Sequence, residues 1–329
     1  MATDHIRLRN GLLIHGGHTG IWAARAKGYY EEEDIDCDIT RGYGSAKTVR
    51  EVAAGEVEIG EVDLAVMLMA RSEGLPLKGV GVLYHRAQHI VYTLGGAGIS
   101  SPGDLRGRSI AVTESDAGSL LFPAFLNHAG LDAEDVNRVF IPAEEKVPTL
   151  LSGGVDALLS YVINGPAIEA GAAEKGSTAR GLLWADFGFD MVSNGFVVSE
   201  SLLDERPDMV RRFLRATYRG VSWAVSNPAE AADLFSERNP HISQDLARLQ
   251  WKRTIPFIVT DDSRRDGLGF LPGDKLEESL QALGLGGAES AEAVYSNDFL
   301  PDKALRLPPK SAGALSETSS ESSQAWSSD

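Results

Sequence analysis

Two histidines three residues apart, His15 and His18, bracket a pair of glycines in His15-Gly16-Gly17-His18-Thr19, directly after the first apolar run. Imidazole is the side chain that gains and loses its proton near neutral pH, so such a pair beside a carboxylate can act as a general acid and base. The glycines let a bound molecule approach the backbone, and a helix opening at Thr19 offers unpaired N–H groups. A tight turn carrying two exposed histidines is the plainer reading. Carboxylates recur at the ends of other apolar runs, as Glu61 and Asp63, Glu114 and Asp116, and Asp190. Beside them stand hydroxyl, phenol and amide groups: Tyr43 between two glycines, Ser45, Tyr84, Ser115, Ser119, Tyr161, Asn164 and Asn194. An anion set against unpaired carboxylates is costly. A lining of this kind therefore suits an amine-bearing, heteroaromatic or hydroxylated molecule better than a sulfonate or nitrate, although His85 and Arg86 can serve one carboxylate.

The elements that would position these groups alternate. Short β-branched or Leu-rich runs at Arg7–Ile14, Ile35–Thr40, Glu58–Glu61, Leu77–Tyr84, Ser109–Val112 and Asp156–Ser160 read as strands. Helical patterns fit between them at Thr19–Lys27, Ser45–Ala54 and Glu145–Ser152, with Ser45 a candidate N-cap. Alternation of this sort gives α/β layers with largely parallel sheets. A short echo supports two such units: Gly55-Glu56-Val57-Glu58-Ile59 and Gly153-Gly154-Val155-Asp156-Ala157 each end a helix and open a strand. Beyond residue 200 the chain turns helical, with Val210, Phe213, Leu214, Thr217, Val221 and Ala224 tracing a 3.6-residue stripe. Further helices fit Ser243–Thr254 and Pro272–Leu283. Ser311 to Asp329, rich in Ser and Glu, reads as a disordered tail.

Composition narrows the function classes. The 329 residues are 43% hydrophobic, enough to bury a core in each of two lobes, and the net charge of −16 disfavours nucleic acid and anionic membrane surfaces. No apolar run spans a bilayer, so no membrane insertion is expected. The single cysteine, Cys37, precludes an intramolecular disulfide and reads as a core residue on the apolar face shared with Ile35 and Ile39. No zincin helix, Walker motif or nucleophile elbow occurs, and two histidines with one carboxylate have no diagnostic metal spacing. Neither a metal nor a cofactor is expected. The first residues, Met1 to Arg7, lack a basic stretch followed by an apolar segment. This leaves a cytoplasmic protein, or an exported one whose signal lies outside this sequence.

Several segments together resemble the type II periplasmic-binding-protein superfamily, in the branch of nitrate, sulfonate, taurine and thiamine-pyrimidine binding proteins of ABC importers. They are Ala26–Glu32, Gly55–Asp63, Gly74–Lys78, Ile99–Gly107, Gly154–Ala157, Asn194–Val198, Pro207–Gly220 and Asn297–Leu300, in that order. The resemblance implies two α/β lobes around a ligand cleft, joined by two hinge crossings near His89–Leu94 and Asn194–Ser199. Lobe one would hold residues 1–92 plus 197–310 and lobe two residues 93–196. It also implies a small-molecule ligand, the membrane subunits of an importer as partners if the chain is exported, and a periplasmic or extracellular location. Asp63 matches a position that faces the cleft in this family, and Asp190 precedes the return crossing, so one carboxylate from each lobe would hold the ligand. The site expected is His15, His18, Thr19, Tyr43, Ser45, Asp63, Tyr84, Ser115, Asp116, Ser119, Tyr161, Asn164, Asp190 and Asn194.

The same fold resembles some enzymes. A pyrimidine-precursor synthase branch carries a Lys and a His four residues apart after the third strand, where Val62 and Val66 stand here, and a cysteine-rich motif where Met191-Val192-Ser193-Asn194 stands. The nucleophilic cysteine of a desulfinase would fall near His15. The enzymatic alternative is a cytoplasmic protein using His15 and His18 with a carboxylate for lyase, decarboxylase or pyrimidine-precursor chemistry.

Overall fold

A computed structural model describes residues 3–114, 116–287 and 290–309; the Ser- and Glu-rich stretch from Ser311 lies outside them. Among the described residues ten strands form two sheets: β1 (Asp4–Asn10), β2 (Ile35–Thr40), β3 (Ile59–Asp63), β4 (Leu77–Val82), β5 (His89–Leu94), β6 (Ser109–Val112), β7 (Asn137–Phe140), β8 (Ala157–Tyr161), β9 (Ala179–Leu183) and β10 (Asn194–Ser199). Strand order is β2-β1-β3-β10-β4 in the first sheet and β7-β6-β8-β5-β9 in the second. In each sheet a parallel trio is joined by one strand antiparallel to both its neighbours, β10 in the first and β5 in the second. That strand is the one by which the chain arrives from the other sheet. The two lobes are therefore built on one plan, and the Gly-Val echo marks corresponding places. Gly55 and Gly153 both adopt positive φ, 71° and 77°, and lead through buried Val57 and Val155 into β3 and β8, the central strands.

The segments near which the hinge crossings are expected, His89–Leu94 and Asn194–Ser199, are strands β5 and β10, each lying within one sheet. The chain changes sheet just before them, between Val82 and His89 and between Leu183 and Asn194. Crossing segments carry no ladder of their own, and the apolar runs mark the strands they feed.

Helices cover both sheets: α1 (Thr19–Ala26), α2 (Ser45–Ala53), α3 (Leu64–Ser72), α4 (Ala117–His128), α5 (Lys146–Leu151), α6 (Gly165–Glu174), α7 (Glu200–Glu205), α8 (Pro207–Ser226), α9 (Pro228–Arg238) and α10 (Gln244–Ile258). The stripe from Val210 to Ala224 is buried and packs α8 on α1. That contact is close because glycines face it: a Cβ on Gly220 would lie 2.5 Å from the Ala24 Cβ, and one on Gly20 2.8 Å from Val221. β2 alternates as its sequence does, with Ile35, Cys37 and Ile39 buried and Asp36 and Asp38 exposed. β1 is shorter than expected. It stops at Asn10, and the residues after it bond instead to the loop before α2, Leu12 accepting from the Gly42 N–H at 2.8 Å and Gly11 from the Gly44 N–H at 2.7 Å. This peels residues 11–14 off the sheet and turns them toward the second lobe.

Candidate functional site

A cavity of about 300 Å³ lies between the lobes, at the low end of the ~300–1,000 Å³ typical of small-molecule sites. Lobe one supplies the peeled residues Gly11–Ile14, His15, His18, Ser45, Glu61, Tyr84 and Asn194. Lobe two supplies Asp116, Glu144, Lys146, Leu158, Ser160, Tyr161 and Asn164. Gln88, on the first crossing segment, and Ile242, Leu246 and Gln250, at and just before α10, complete the wall. Most of these residues sit at carboxyl ends of strands or at the first turns that follow, where α/β sheets present their ligand sites.

On the lobe-one wall His15 and His18 stack, ring centres 3.9 Å apart. The His18 Nδ1 accepts from the His15 backbone N–H at 3.2 Å, with the Asn10 amide nitrogen 3.3 Å away. Its proton therefore sits on Nε2, which faces the Glu61 carboxylate at 3.4 Å. The other Glu61 oxygen accepts from the Asn194 amide at 2.9 Å. His15 Nδ1 accepts from the Gly17 N–H at 3.1 Å, and burial, followed by neighbouring His18, holds this imidazole well below the usual histidine range. Both rings thus have their basic Nδ1 occupied by a backbone donor, an arrangement made for donating at Nε2 rather than for taking up a proton. Tyr84 donates to the Gly17 carbonyl at 3.0 Å; burial first, and the Glu61 charge second, push its phenol up.

Across the cavity the N-cap of α4, Asp116, gathers the polar groups of lobe two. One carboxylate oxygen accepts from the Tyr161 hydroxyl at 2.8 Å and the other from Lys146 Nζ at 3.2 Å. Lys146 also donates to the Leu159 carbonyl at 2.9 Å. Burial, then the Asp116 and Asp63 charges, push the Tyr161 phenol up, so it stays a donor. Asn164 donates to the Ser160 hydroxyl at 2.8 Å. Each lobe thus contributes one buried carboxylate, Glu61 or Asp116, and each is already met by protein donors.

Of the residues expected at the site, His15, His18, Ser45, Tyr84, Asp116, Tyr161, Asn164 and Asn194 are brought together on the cavity wall. Ser45 is the first residue of α2 rather than its cap; Gly44 holds the cap position at φ 113°, and the Ser45 hydroxyl accepts from the Asp63 N–H at 3.3 Å. Asp63 lies off the wall: it caps α3 through the Ala65 N–H at 2.9 Å. Its other oxygen is 3.2 Å from His89 Nε2 but off the line of a hydrogen bond, so both buried atoms lack a hydrogen-bond partner among the described residues. Asp190 is held outside the cavity by Lys275 at 3.0 Å and the Ala87 N–H at 2.9 Å. Thr19 and Ser119 spend their hydroxyls on Gly16 O and the Thr113 N–H. Tyr43 is 56% exposed, between Arg41 and Lys47, each 4.9 Å from its ring. Ser115 lies outside the described residues.

Lys146, Gln88 and Gln250 are wall residues that sequence reasoning passed over. Lys146 does carry a signal: it opens α5, where the helix dipole disfavours a cation, so a partner elsewhere is needed to hold it. Gln88 has a fully buried amide nitrogen with no partner among the described residues, and Gln250 accepts from the Gly16 N–H at 2.8 Å. No periodic pattern marks either of these.

With the geometry in place, comparison with known proteins fixes the family. Residues 15–231 match the family described as NMT1/THI5 like. The riboflavin-binding protein RibY of Chloroflexus aurantiacus is 30% identical over 85% of this chain and 81% of its own length. The 4-amino-5-hydroxymethyl-2-methylpyrimidine phosphate synthase of Legionella pneumophila is 26% identical over 92% of this chain and 95% of its own. The periplasmic aliphatic sulphonate binding protein SsuA of Escherichia coli superposes with a TM-score of 0.67 at 14% identity, covering 93% of this chain and 92% of its own. The chain belongs to the NMT1/THI5-like family and has the type II periplasmic-binding-protein fold. Among the described residues no helix is long and apolar enough to cross a membrane.

Proposed function

We propose that this member of the NMT1/THI5-like family is a solute-binding protein, holding a heteroaromatic or hydroxylated small molecule between its lobes for delivery to an ABC importer. The observation that carries this reading is the interlobe cavity itself, walled by aliphatic side chains, neutral donors and Lys146 around two buried carboxylates already occupied by protein groups, with Glu144 exposed and facing Arg41. A sulfonate or nitrate would sit against Glu61 and Asp116 with Lys146 as the one lysine or arginine on the wall among the described residues, a weak match. Riboflavin, the ligand named for the relative from Chloroflexus, is a heteroaromatic ring with a hydroxylated chain and fits this lining in kind. The pyrimidine of the synthase relatives is the smaller member of the same class. Binding is favoured over acid–base chemistry because neither His15 nor His18 offers a basic nitrogen to the cavity. Service to an importer places the protein on the outer side of a membrane.

Calorimetric titration with riboflavin, 4-amino-5-hydroxymethyl-2-methylpyrimidine, taurine and nitrate tests the reading. One of the two heterocycles should bind with a micromolar or lower Kd and be recovered unchanged in mass, while taurine and nitrate give no heat at millimolar concentration. Tight binding of taurine or nitrate, or conversion of a bound heterocycle to product, would overturn it.

A further inference from the structure

Lys146 opens α5 on the lobe-two wall of the cavity and is 6% exposed. An ammonium group carries three N–H donors. Two are spent, on Asp116 Oδ2 at 3.2 Å and on the Leu159 carbonyl at 2.9 Å; for the third, no acceptor is in reach among the described residues. Asp116 has the opposite balance. Its two oxygens already serve Lys146, the Tyr161 hydroxyl and the Gly118 N–H. On the facing wall His15 is left with its proton on Nε2, also without an acceptor among the described residues. Each lobe therefore brings a spare donor to the cavity, while the two buried carboxylates, Glu61 and Asp116, are already occupied; Glu144, the other carboxylate on the wall, is exposed and faces Arg41 at 3.9 Å. A buried charged donor left short of a partner is costly, and a ligand acceptor relieves that cost.

We propose that Lys146 determines specificity: its third N–H takes a carbonyl oxygen or ring nitrogen of the ligand, and its charge, fixed beside Asp116, turns away amines. The site then selects an uncharged heterocycle with acceptors along its edges, such as a ring dione. This rests on the cleft being the binding site for a heteroaromatic molecule.

The probes are lumichrome, an uncharged three-ring dione, and tryptamine, a cationic aromatic amine. They are titrated by calorimetry into the parent, Lys146→Met, and Lys146→Met combined with Asp116→Asn. The parent should bind lumichrome at least tenfold more tightly than tryptamine. Lys146→Met should lose at least tenfold in lumichrome affinity and gain tenfold or more for tryptamine, because Asp116 is then open to a cation. The double variant, which leaves no unpaired charge and keeps the test alive should the single variant fail to fold, should bind both probes weakly. Lumichrome binding at parental strength in the double variant would show that Lys146 only neutralises Asp116, and would overturn the inference. A parent that prefers tryptamine overturns it too, but leaves the cleft a binding site. A parent that binds neither, and no other heterocycle, overturns both.

Discussion

His85 shows how one buried group couples this fold to pH. Burial first, then the charges of Lys275 and Arg306 against the opposing one of Asp266, lowers its imidazole to about 3. Its Nε2 accepts from the Gly269 N–H at 3.2 Å, a bond that protonation would break. The folded value lies below the ordinary 6.5, so between pH 6.5 and about 3 the unfolded chain binds the extra proton. The contribution of His85 is thus complete above pH 6.5 and falls away as the pH drops through that window. One proton corresponds to a slope of about 1.4 kcal/mol per pH unit. Urea unfolding of parent and His85→Gln at pH 7, 6 and 5 should show the parent losing stability more steeply, and parallel curves would remove His85 from the account. Asp190 belongs to the same scale. Its carboxylate pairs with Lys275 at the surface, 38% exposed, and is turned away from the cavity. Asp190→Asn should therefore leave ligand affinity within about twofold and cost about 0–1 kcal/mol of stability. A tenfold affinity loss by calorimetry would restore it to the site.

The turns that bring strand ends to the cavity are the vulnerable elements. Gly42 lies so close to the end of β1 that a Cβ there would be 1.9 Å from the Asn10 carbonyl oxygen and 2.8 Å from that of Gly11. Gly42→Ala must push the loop bearing Arg41 and Tyr43 off residues 10–12, at a cost of about 1–3 kcal/mol, the range for overpacked sites. Thermal unfolding should show a clear drop in Tm, and an unchanged Tm would mean that the contact relaxes freely. Legibility in the sequence follows the same elements. β2 was readable because Ile35, Cys37 and Ile39 face the core while Asp36 and Asp38 face water. The edge strand β7, Asn-Arg-Val-Phe, has no buried residue and so no alternation to read. Residues 11–14 are apolar like a strand, yet leave the sheet, because their bonds go to the loop before α2. At the site, groups next to strand ends, such as His15, Asp116 and Tyr161, could be named from the sequence. Asp63 could not be separated from them, since a capping carboxylate and a cleft carboxylate occupy the same kind of position. Lys146 and Gln250 come from helices whose approach to the cavity only tertiary packing determines.

Across the whole molecule, the two lobes meet through α10 and through ion pairs on the cavity's flanks. Arg253 of α10 donates to both carboxylate oxygens of Glu169 on α6, at 2.8 and 2.9 Å, and Arg41 faces Glu144 at 3.9 Å. Both pairs are partly exposed, so each is worth about 0–1 kcal/mol of closure, up to roughly fivefold in ligand dissociation rate. Glu169→Gln should speed release of bound lumichrome by about two- to fivefold in stopped flow, with little change in Tm; an unaltered rate would mean that the lobes part elsewhere. A ligand that touches both walls favours the closed arrangement only by its greater affinity for it. If the interlobe cavity is where this protein binds its ligand, filling it must block binding. Asn164 lines the cavity, and its amide donates to the Ser160 hydroxyl. Lumichrome titrations followed by its own fluorescence should give one site per chain in the parent. Asn164→Trp, provided it melts near the parental temperature, should weaken that site at least tenfold, whereas undiminished affinity in this variant would place the ligand outside the interlobe cavity.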